Sequence, residues 1–262
     1  MSEAAAHLQG VGVHSGVTTR VTLHRVDGAV RFLASGVTLT PHVRHVVDTR
    51  GATTLAQDGV RIGMVEHLLA ALHVRGIWEG LLIEIDGEEL PILDGSAAPW
   101  DEALATLDPF PAAPPPRSWR GRIDDGDGRM ASLDAGARQL DVSIAFDHPH
   151  VGTQRWTGGP EAWADLLKAR TFGFARDAEA LRAAGFARGA SDANAIVFGD
   201  DVPPILRFPD EPVRHKALDA LGDAYLLGQP FDGRLHVARG GHDLHVRLAR
   251  HVLDLEGQGV SA

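Results

Sequence analysis

The sequence predicts an α+β fold with two structured halves, neither of them a Rossmann domain. Strand-like and helix-like segments mix in both halves instead of alternating regularly. Five prolines fall within residues 108–117, where they prevent helices and sheet ladders and favour an extended spacer. We therefore expect an N-terminal α+β domain over residues 1–107, a linker over 108–117, and a C-terminal α+β domain over 118–262.

The first half is expected to contain a hairpin, one long helix and one short helix. Alternating β-branched residues predict its first strand, and the Asp27–Gly28 pair predicts a tight turn into the second. An apolar stripe with helical spacing predicts the long helix, which Gly76 would end as a C-cap. The expected elements are strands at 17–25, 29–33 and 80–86, a helix at 63–76, and a loop at 91–100 followed by a short helix.

The second half repeats this mixture and contains the strongest helix pattern of the chain. Pro212 suits the first turn of that helix and Gly228 suits its end. The segments VEHLLAAL and VRHKALDAL each place a histidine two residues after a valine, which would fit a duplication. The expected elements are strands at 140–146, 195–198 and 234–239, and helices at 160–170, 178–185, 211–228 and 242–254.

The composition excludes several classes of protein. A formal net charge of −10 argues against nonspecific binding to nucleic acid or to an anionic membrane surface. The absence of cysteine excludes disulfides and thiolate metal sites. No run of 18 apolar residues, no signal segment and no GxGxxG or P-loop motif occurs. We expect a cytoplasmic monomer that has no transmembrane segment and binds no nucleic acid.

The stretch VRHKALDALGD, at residues 213–223, has the spacing of a metal site. His215, Asp219 and Asp223 are each four residues apart, so on a helix each step turns about 400° and all three stay near one face. His215 and Asp219 could hold a metal ion, as the two histidines of HExxH do, while Asp223 orients another side chain. The alternative is a solvated helix face with an ordinary i, i+4 charge pair.

The adjacent residues Glu66 and His67 are the second candidate. Consecutive helix residues point about 100° apart, so His67 could bind a metal ion while Glu66 reaches the attacking water. Catalytic zinc commonly has three nitrogen and oxygen ligands from the protein, a set that His67, His215 and Asp219 would complete. The alternative is an acidic residue stabilised by a helix N-terminus, beside an ordinary histidine.

The third candidate is His242, which follows two glycines at the start of a helix. A helix N-terminus lowers the pKa of a histidine, so His242 would need a carboxylate such as Asp223 to stay protonated near neutral pH. Protonated in this way, it could act as an acid. The alternative is a glycine turn that carries an exposed histidine.

Two glycine-containing segments could contact a ligand through His14, Thr171 and Phe172, although turn chemistry also explains their glycines. These segments and five others form an ordered set: GVGVHSG, VDTRGATTL, VEHLLAAL, ELPILDGSAAPW, KARTFGFARD, VRHKALDALGD and GGHDLH. In this order, which covers almost the whole chain, the sequence resembles the zinc-dependent UDP-3-O-acyl-N-acetylglucosamine deacetylases of lipid A biosynthesis in Gram-negative bacteria.

The resemblance implies two βα sandwich domains packed helix layer to helix layer, with the active site between them. It implies Zn²⁺-dependent hydrolysis of the N-acetyl group of UDP-3-O-(3-hydroxyacyl)-N-acetylglucosamine, with the acyl chain in an apolar passage within residues 171–205. By residue, it implies zinc ligands His67, His215 and Asp219, the general base Glu66, His242 oriented by Asp223, Thr171 at the oxyanion, and the substrate contacts Lys216, Phe172 and His14.

The chain departs from the family pattern at several positions. Gly63–Met64 replaces Ser-Thr before VEH, which removes a capping box but leaves glycine as a tolerable N-cap. Glu79–Gly80 replaces Asp-Asn, and Gly241 stands where serine is common. These changes concern substrate affinity and acyl-chain choice more than the reaction.

Two other functions compete with the deacetylase. One is a related metal amidohydrolase that acts on another N-acetyl sugar nucleotide, which the absence of an apolar channel near residues 171–205 would favour. The other is a noncatalytic sugar-nucleotide binder. The presence of both Glu66 and His242 argues against it, because binding alone needs neither a base nor an acid.

Overall fold

The computed structural model describes residues 5–257 and has an α+β fold. In the first half, a five-stranded sheet has the order β1-β2-β8-β3-β4, and β5, β6 and β7 form a separate three-stranded sheet. The elements are β1 (Ala5–Val11), β2 (Thr18–Ala29), β3 (Arg31–Ala34), β4 (Val37–Leu39), β5 (Val46–Asp48), β6 (Thr54–Gln57), β7 (Val60–Ile62), α1 (Glu66–Arg75), β8 (Glu79–Ile85) and α2 (Ala98–Ala105).

The predicted hairpin between residues 17–25 and 29–33 is wrong. The Asp27–Gly28 pair lies inside β2, where a bulge between Arg25 and Ala29 takes up the left-handed Gly28. β8 inserts between the two strands, pairing antiparallel to β2 and parallel to β3. β8 is largely buried, so a central position gives it two hydrogen-bonded neighbours, which local turn chemistry could not anticipate.

Helix α1 begins at Glu66, not at Gly63. Met64 has a φ of +63°, in the left-handed region, and Val65 is the N-cap without a side-chain hydrogen bond. The expectation that Gly63 caps this helix is therefore wrong. Gly76, with a φ of +69°, ends the helix as predicted. Every residue from 66 to 73 is buried, so the helix lies in the interior instead of presenting one apolar stripe.

The second half contains another five-stranded sheet, with the order β10-β11-β17-β12-β13. Two parallel pairs lie outside it, β14 with β15 and β9 with β16. The elements are β9 (Arg117–Ser118), β10 (Gly121–Asp124), β11 (Met130–Asp134), β12 (Gln139–Ala145), β13 (Thr153–Gly158), α3 (Trp163–Leu166), β14 (Phe172–Phe174), α4 (Ala178–Ala183), β15 (Ile196–Phe198), α5 (Glu211–Tyr225), β16 (Phe231–Asp232), β17 (Arg234–Ala238) and α6 (His242–Gly257).

The two large sheets have the same topology. In each, the last strand of the half is central, antiparallel to the second strand (β2 or β11) and parallel to the third (β3 or β12). α1 precedes the central strand in the first half and α5 precedes it in the second. This equivalence fits the duplication that the two valine–histidine segments suggested, because those segments lie at α1 and α5.

The helix predicted for residues 160–170 is confirmed only over Trp163–Leu166, preceded by a 3₁₀ turn. The N–H groups of Lys168 and Ala169 still make turn hydrogen bonds, to the carbonyls of Asp165 and Leu166, but the neighbouring backbone groups have tertiary partners. The Leu167 carbonyl accepts from the N–H of Ala97 at 2.9 Å, and the N–H of Arg170 donates to the Glu211 carboxylate at 3.0 Å. Hydrogen bonds to distant residues thus replace the last turns of the predicted helix.

Helices α1 and α5 pack directly against each other, and a glycine permits their close approach. A β-carbon added at Gly222 would overlap the carbonyl oxygen of Glu66. Nδ1 of His73 donates to the Leu221 carbonyl at 2.9 Å, and the Tyr225 hydroxyl donates to the Ile77 carbonyl at 2.7 Å. α5 and α6 also contact each other and the second sheet.

The proline-rich segment at 108–117 forms no helix or strand before Arg117, and it packs against the first half. Gly80, with a φ of +90°, allows this contact because an added β-carbon would lie 3.0 Å from Pro111. The Arg25 guanidinium stacks on the Phe110 ring at 4.4 Å. Within residues 5–257, no helix is long and apolar enough to cross a membrane.

The close crossing of α1 and α5 predicts that a side chain at Gly222 lowers the stability of the protein. We expect Gly222→Ala to lower the free energy of unfolding by about 1–3 kcal/mol, because the methyl group overpacks the contact with Glu66. Urea unfolding measures the loss. Gly199→Ala is the control, since a β-carbon there meets nothing within 4 Å. Equal stability of the two variants would contradict a tight crossing at Gly222.

Candidate metal centre

The structure brings His67 of α1 together with His215 and Asp219 of α5. One potential ligand atom from each residue lies within 4.8 Å of the others. Oδ1 of Asp219 is 3.3 Å from Nε2 of His215 and 4.0 Å from Nε2 of His67. The two imidazole rings meet edge to face, with their centroids 5.1 Å apart. The i, i+4 pair that the sequence indicated therefore faces the equivalent helix of the other half.

Burial rejects the alternative of a solvated, charged face on α5. His215, Asp219 and Asp223 are each at most 2% exposed, and His67 of the facing helix is 2% exposed. Ionisable side chains are rarely this buried unless they are paired or hold a metal ion. These residues are therefore parts of an internal polar site.

The unpaired atoms of this cluster fit a metal ion. Both ring nitrogens of His67 and Oδ1 of Asp219 are buried without a hydrogen-bond partner in the described part of the chain. Nδ1 of His215 donates to the carbonyl of Ala169 at 3.2 Å, which leaves Nε2 free to act as a ligand. Burial lowers the pKa of His67 to about 3 and also lowers that of His215, so both rings are neutral, as metal ligands must be.

Lys216 lies beside the cluster, on the cavity side of α5. Its ammonium donates to Oδ2 of Asp219 at 2.9 Å and lies 5.7 Å from the centroid of the Phe172 ring. Burial alone would raise the pKa of Asp219, but His215 and Lys216 hold it well below its usual range. Asp219 is therefore ionised and keeps Oδ1 available for a cation.

Glu66 precedes the ligand-like His67 and points at the same space. Its Oε2 accepts the backbone N–H of Thr53 at 3.0 Å, while Oε1 is 3.7 Å from Nε2 of His242. Burial raises the pKa of Glu66 to about 7, with Asp223 and Asp219 adding to the rise and His242 opposing it. A carboxyl group with this pKa can exchange a proton near neutral pH.

His242 is buried at the start of α6, which rejects the alternative of an exposed histidine in a glycine turn. Its Nδ1 donates to Oδ2 of Asp223 at 2.8 Å. Burial alone would lower the pKa of His242, but Asp223 and then Glu66 raise it to about 10. The ring is therefore a cation at neutral pH, with Nε2–H directed toward Glu66.

A second group of potential ligands, made of Asp223, His242 and His245, lies next to the first. Both imidazoles direct Nδ1 to the same carboxylate oxygen, Oδ2 of Asp223, at 2.8 Å. Hydrogen bonds already occupy the facing atoms of this group. Of the two groups, that of His67, His215 and Asp219 is therefore the one whose atoms are open to a metal ion.

The cluster opens into a cavity of about 380 Å³ that extends toward the segment 171–205. Thr171, Phe172, Lys216 and His14 all line it, together with Glu66, His67 and His242. Its lining within residues 174–197 is mostly apolar, formed by Phe174, Ala178, Leu181, Ala187, Ala190, Ala195 and Val197, with Arg182, Ser191 and Asp192 as the polar residues. All the site residues that the sequence indicated thus line the cavity, except Asp223, which is hydrogen-bonded to the lining residue His242.

Loops of the first half hold the cavity wall that the second half supplies. The backbone N–H of Thr171 donates to the Gly95 carbonyl at 2.7 Å. The N–H groups of Arg188 and Gly189 donate to the carbonyls of His14 and Val13 at 3.2 and 3.0 Å. Glycine at 189 is required, because a β-carbon would overlap the Gly12 carbonyl oxygen. The cavity is therefore assembled from both halves of the chain.

Sequence reasoning missed three residues of this arrangement. Thr53 contacts two acidic groups of the site, His245 shares Asp223 with His242, and Glu89 accepts the backbone N–H groups of His14 and Ser15 at 2.8 Å each. The i, i+3 spacing of His245 from His242 was a usable signal. Thr53 and Glu89 lie within the motifs VDTRGATTL and ELPILDGSAAPW, but their contacts could not be predicted, because their partners are distant in sequence or are backbone groups.

The fold and the cluster together describe an α+β protein with a buried site able to hold a metal ion. The family model LpxC, described as UDP-3-O-acyl N-acetylglycosamine deacetylase, matches residues 3–254. The chain belongs to this family.

Curated relatives are similar over nearly the whole chain. A UDP-3-O-acyl-N-acetylglucosamine deacetylase of Myxococcus xanthus is 41% identical over 95% of this chain and 84% of its own length. Proteins of the same name from Leptospira biflexa and Thermosynechococcus vestitus are 37% and 38% identical, over 94% of this chain and 86% and 91% of their own lengths.

Metal analysis tests the cluster. We expect one divalent ion per chain, which His215→Ala should lose because the substitution removes one of three ligands. His150→Ala is the control, since His150 lies outside the cluster. Equal metal content in both variants, or no metal above background in the parent protein, would contradict the assignment.

Proposed function

We propose that the protein removes the N-acetyl group of UDP-3-O-(3-hydroxyacyl)-N-acetylglucosamine by hydrolysis, releasing acetate and the free amine. This is the committed step of lipid A biosynthesis. The observation that carries the proposal is the convergence of a metal-ligand cluster, a carboxylate with a raised pKa and a protonated imidazole on one cavity. Membership of the LpxC family, and the shared name of the relatives, support the choice of substrate.

The cofactor in this proposal is Zn²⁺, held by His67, His215 and Asp219. A set of two nitrogens and one oxygen without thiolate suits zinc in a hydrolase, because it leaves room for a water or a substrate oxygen. When bound, zinc supplies a Lewis acid that polarises a carbonyl and lowers the pKa of water toward ~7.

Glu66 is the general base of the proposed reaction. Its Oε1 is directed at the centre of the site, and its raised pKa lets it take the proton of the attacking water near neutral pH. A base in this position contributes roughly 10²–10⁴-fold to the rate.

His242 is the acid, and Asp223 orients it. The imidazolium faces the site through Nε2, where it stabilises negative charge on the carbonyl oxygen and donates a proton to the leaving amine. Thr171, at the cavity wall, is placed to assist at the same oxygen. An amine is a poor leaving group until it is protonated, which is why the reaction needs a proton donor besides the base.

The shape of the cavity supports an acylated substrate. Its apolar end, formed within residues 171–205, offers a site for a hydrocarbon chain, whereas a small N-acetyl sugar would leave that end empty. At the polar end, Lys216 lies over the Phe172 ring, so that the ammonium can pair with phosphate beside an aromatic face for the sugar nucleotide. His14 borders the same space.

A single chain supplies every residue of the proposed reaction, so we infer that the monomer is sufficient for catalysis. We place the reaction in the cytoplasm, because a sugar nucleotide is made where nucleoside triphosphates are available.

The decisive experiment compares hydrolysis of the acylated sugar nucleotide with hydrolysis of plain UDP-N-acetylglucosamine, with and without a chelator. We expect deacetylation of the acylated compound that the chelator abolishes and added zinc restores. A clear preference for the plain sugar nucleotide would favour the related amidohydrolase. Binding of both compounds without turnover would favour the noncatalytic binder.

The charge on Asp223 predicts a pH effect. Asp223→Asn removes the nearest negative charge from His242, so the pKa of His242 should fall and its proton be lost at lower pH. The high-pH limb of the kcat/KM profile should therefore move to lower pH by roughly one unit or more.

Asp243→Asn is the matched control, because this carboxylate is adjacent to His242 in sequence but pairs with Arg129 at 2.6 Å. A high-pH limb that stays in place in Asp223→Asn, or moves upward, would remove the acid role from His242.

The apolar end of the cavity predicts a substrate-dependent effect. Leu181→Asp introduces a carboxylate among apolar residues and should lower kcat/KM for the acylated substrate by about tenfold or more. Turnover of plain UDP-N-acetylglucosamine should not change. Val202→Asp, at an exposed position outside the cavity lining, is the control. Equal losses on both substrates would show that Leu181 does not contact the acyl chain.

A further inference from the structure

Thr53 uses all of its polar groups at the junction between the two halves. Its backbone N–H donates to Oε2 of Glu66 at 3.0 Å, and its hydroxyl donates to Oδ1 of Asp223 at 2.6 Å. Its carbonyl accepts the N–H of Val65 at 3.3 Å, directly before α1. The residue is fully buried. One threonine of the first half therefore contacts both Glu66, the proposed general base on α1, and Asp223, the carboxylate on α5 that orients the proposed acid His242.

We propose that Thr53 is a positioning residue of the reaction, whose hydroxyl fixes the rotation of the Asp223 carboxylate and through it the direction of His242. The proposal rests on the proposed function for its effect on turnover. Thr53 touches neither the cavity nor the expected ligand cluster, so it would act only through other residues.

The need for such a residue follows from the contacts of Asp223. Two imidazoles, those of His242 and His245, donate to the same oxygen, Oδ2, each at 2.8 Å. The carboxylate is fully buried, and within the described residues only Thr53 hydrogen-bonds to its Oδ1. Without that bond the carboxylate could rotate and share its oxygens differently between the two rings. Displacements of about 1 Å at a catalytic group can lower turnover by about 10²-fold.

The backbone and the side chain of Thr53 act on different groups, which makes the role testable. Thr53→Val keeps the shape and the backbone N–H to Glu66 but removes the hydroxyl that reaches Asp223. Thr53→Ser keeps the hydroxyl and removes only a methyl group. Thr54→Val is the matched control, because this neighbouring threonine makes no hydrogen bond to Glu66 or Asp223.

In the zinc-loaded full-length protein, we expect Thr53→Val to lower kcat about tenfold, equivalent to about 1.4 kcal/mol, with KM within about twofold of the parent. Thr53→Ser should restore most of kcat, and Thr54→Val should resemble the parent. In a His242→Gln background, Thr53→Val should cause little further loss, because the two changes remove one interaction chain.

Unchanged kcat in Thr53→Val, failure of serine to restore it, or full additivity with His242→Gln would overturn the proposal. A fall caused only by a weaker fold would add fully to the His242→Gln loss, so the double variant distinguishes it from the loss of positioning.

Proton NMR of the imidazole N–H groups gives a readout that does not depend on activity. Protons shared between imidazole and a buried carboxylate resonate far downfield, and His242→Gln and His245→Gln assign the two signals. We expect Thr53→Val to displace both signals and Thr53→Ser to restore them. Signals that stay in place would overturn the proposal.

If the parent protein failed to hydrolyse the acylated substrate, the proposed function would fall. Displaced signals would then still support the positioning of Asp223 by Thr53.

Discussion

The close crossing of α1 and α5 brings the two halves of the polar site together. Each helix precedes the central strand of one large sheet, and Gly222 lets the two backbones approach at Glu66. At this distance His67 of one helix reaches His215 and Asp219 of the other. Neither half contains the complete cluster. The duplicated topology therefore yields one asymmetric cluster, because α1 contributes Glu66 and His67 whereas α5 contributes His215, Asp219 and Asp223.

The burial of so many ionisable groups is tolerated because they form ion pairs and hydrogen bonds with one another. Isolated charges would be expensive in this interior, but Asp219 pairs with Lys216 and Asp223 pairs with two imidazoles. The atoms left without partners, in His67 and Asp219, are those that face a metal position. The same burial raises the pKa of Glu66, while the charge of Asp223 raises that of His242. These opposite surroundings are what the proposed base and acid roles of the two groups require.

Local patterns predicted the regular elements best for the long helices α5 and α6, although α5 ends at Tyr225, before the predicted end at Gly228. They failed where distant residues compete for the backbone. β8 separates β2 from β3, which no turn signal at Asp27–Gly28 could indicate. The Glu211 carboxylate accepts the N–H of Arg170, and the N–H of Ala97 donates to the carbonyl of Leu167. These two backbone groups therefore do not continue the helix. Several short strands, including β5, β6 and β7, were also missed, because segments of three or four residues carry little periodicity.

Residue type and helical spacing are local properties, and from them the sequence predicted the α+β class, the helices that carry the site and the candidate ligands. It left open whether His215 and Asp219 formed a solvated face or a metal site, since both have the same spacing. Their burial against His67 excludes the solvated face, because these three side chains are each only 2% exposed. The hydrogen bond of Thr53 to Asp223 and the sharing of Asp223 by His242 and His245 are likewise seen only in the tertiary structure, because these hydrogen bonds join residues far apart in the chain.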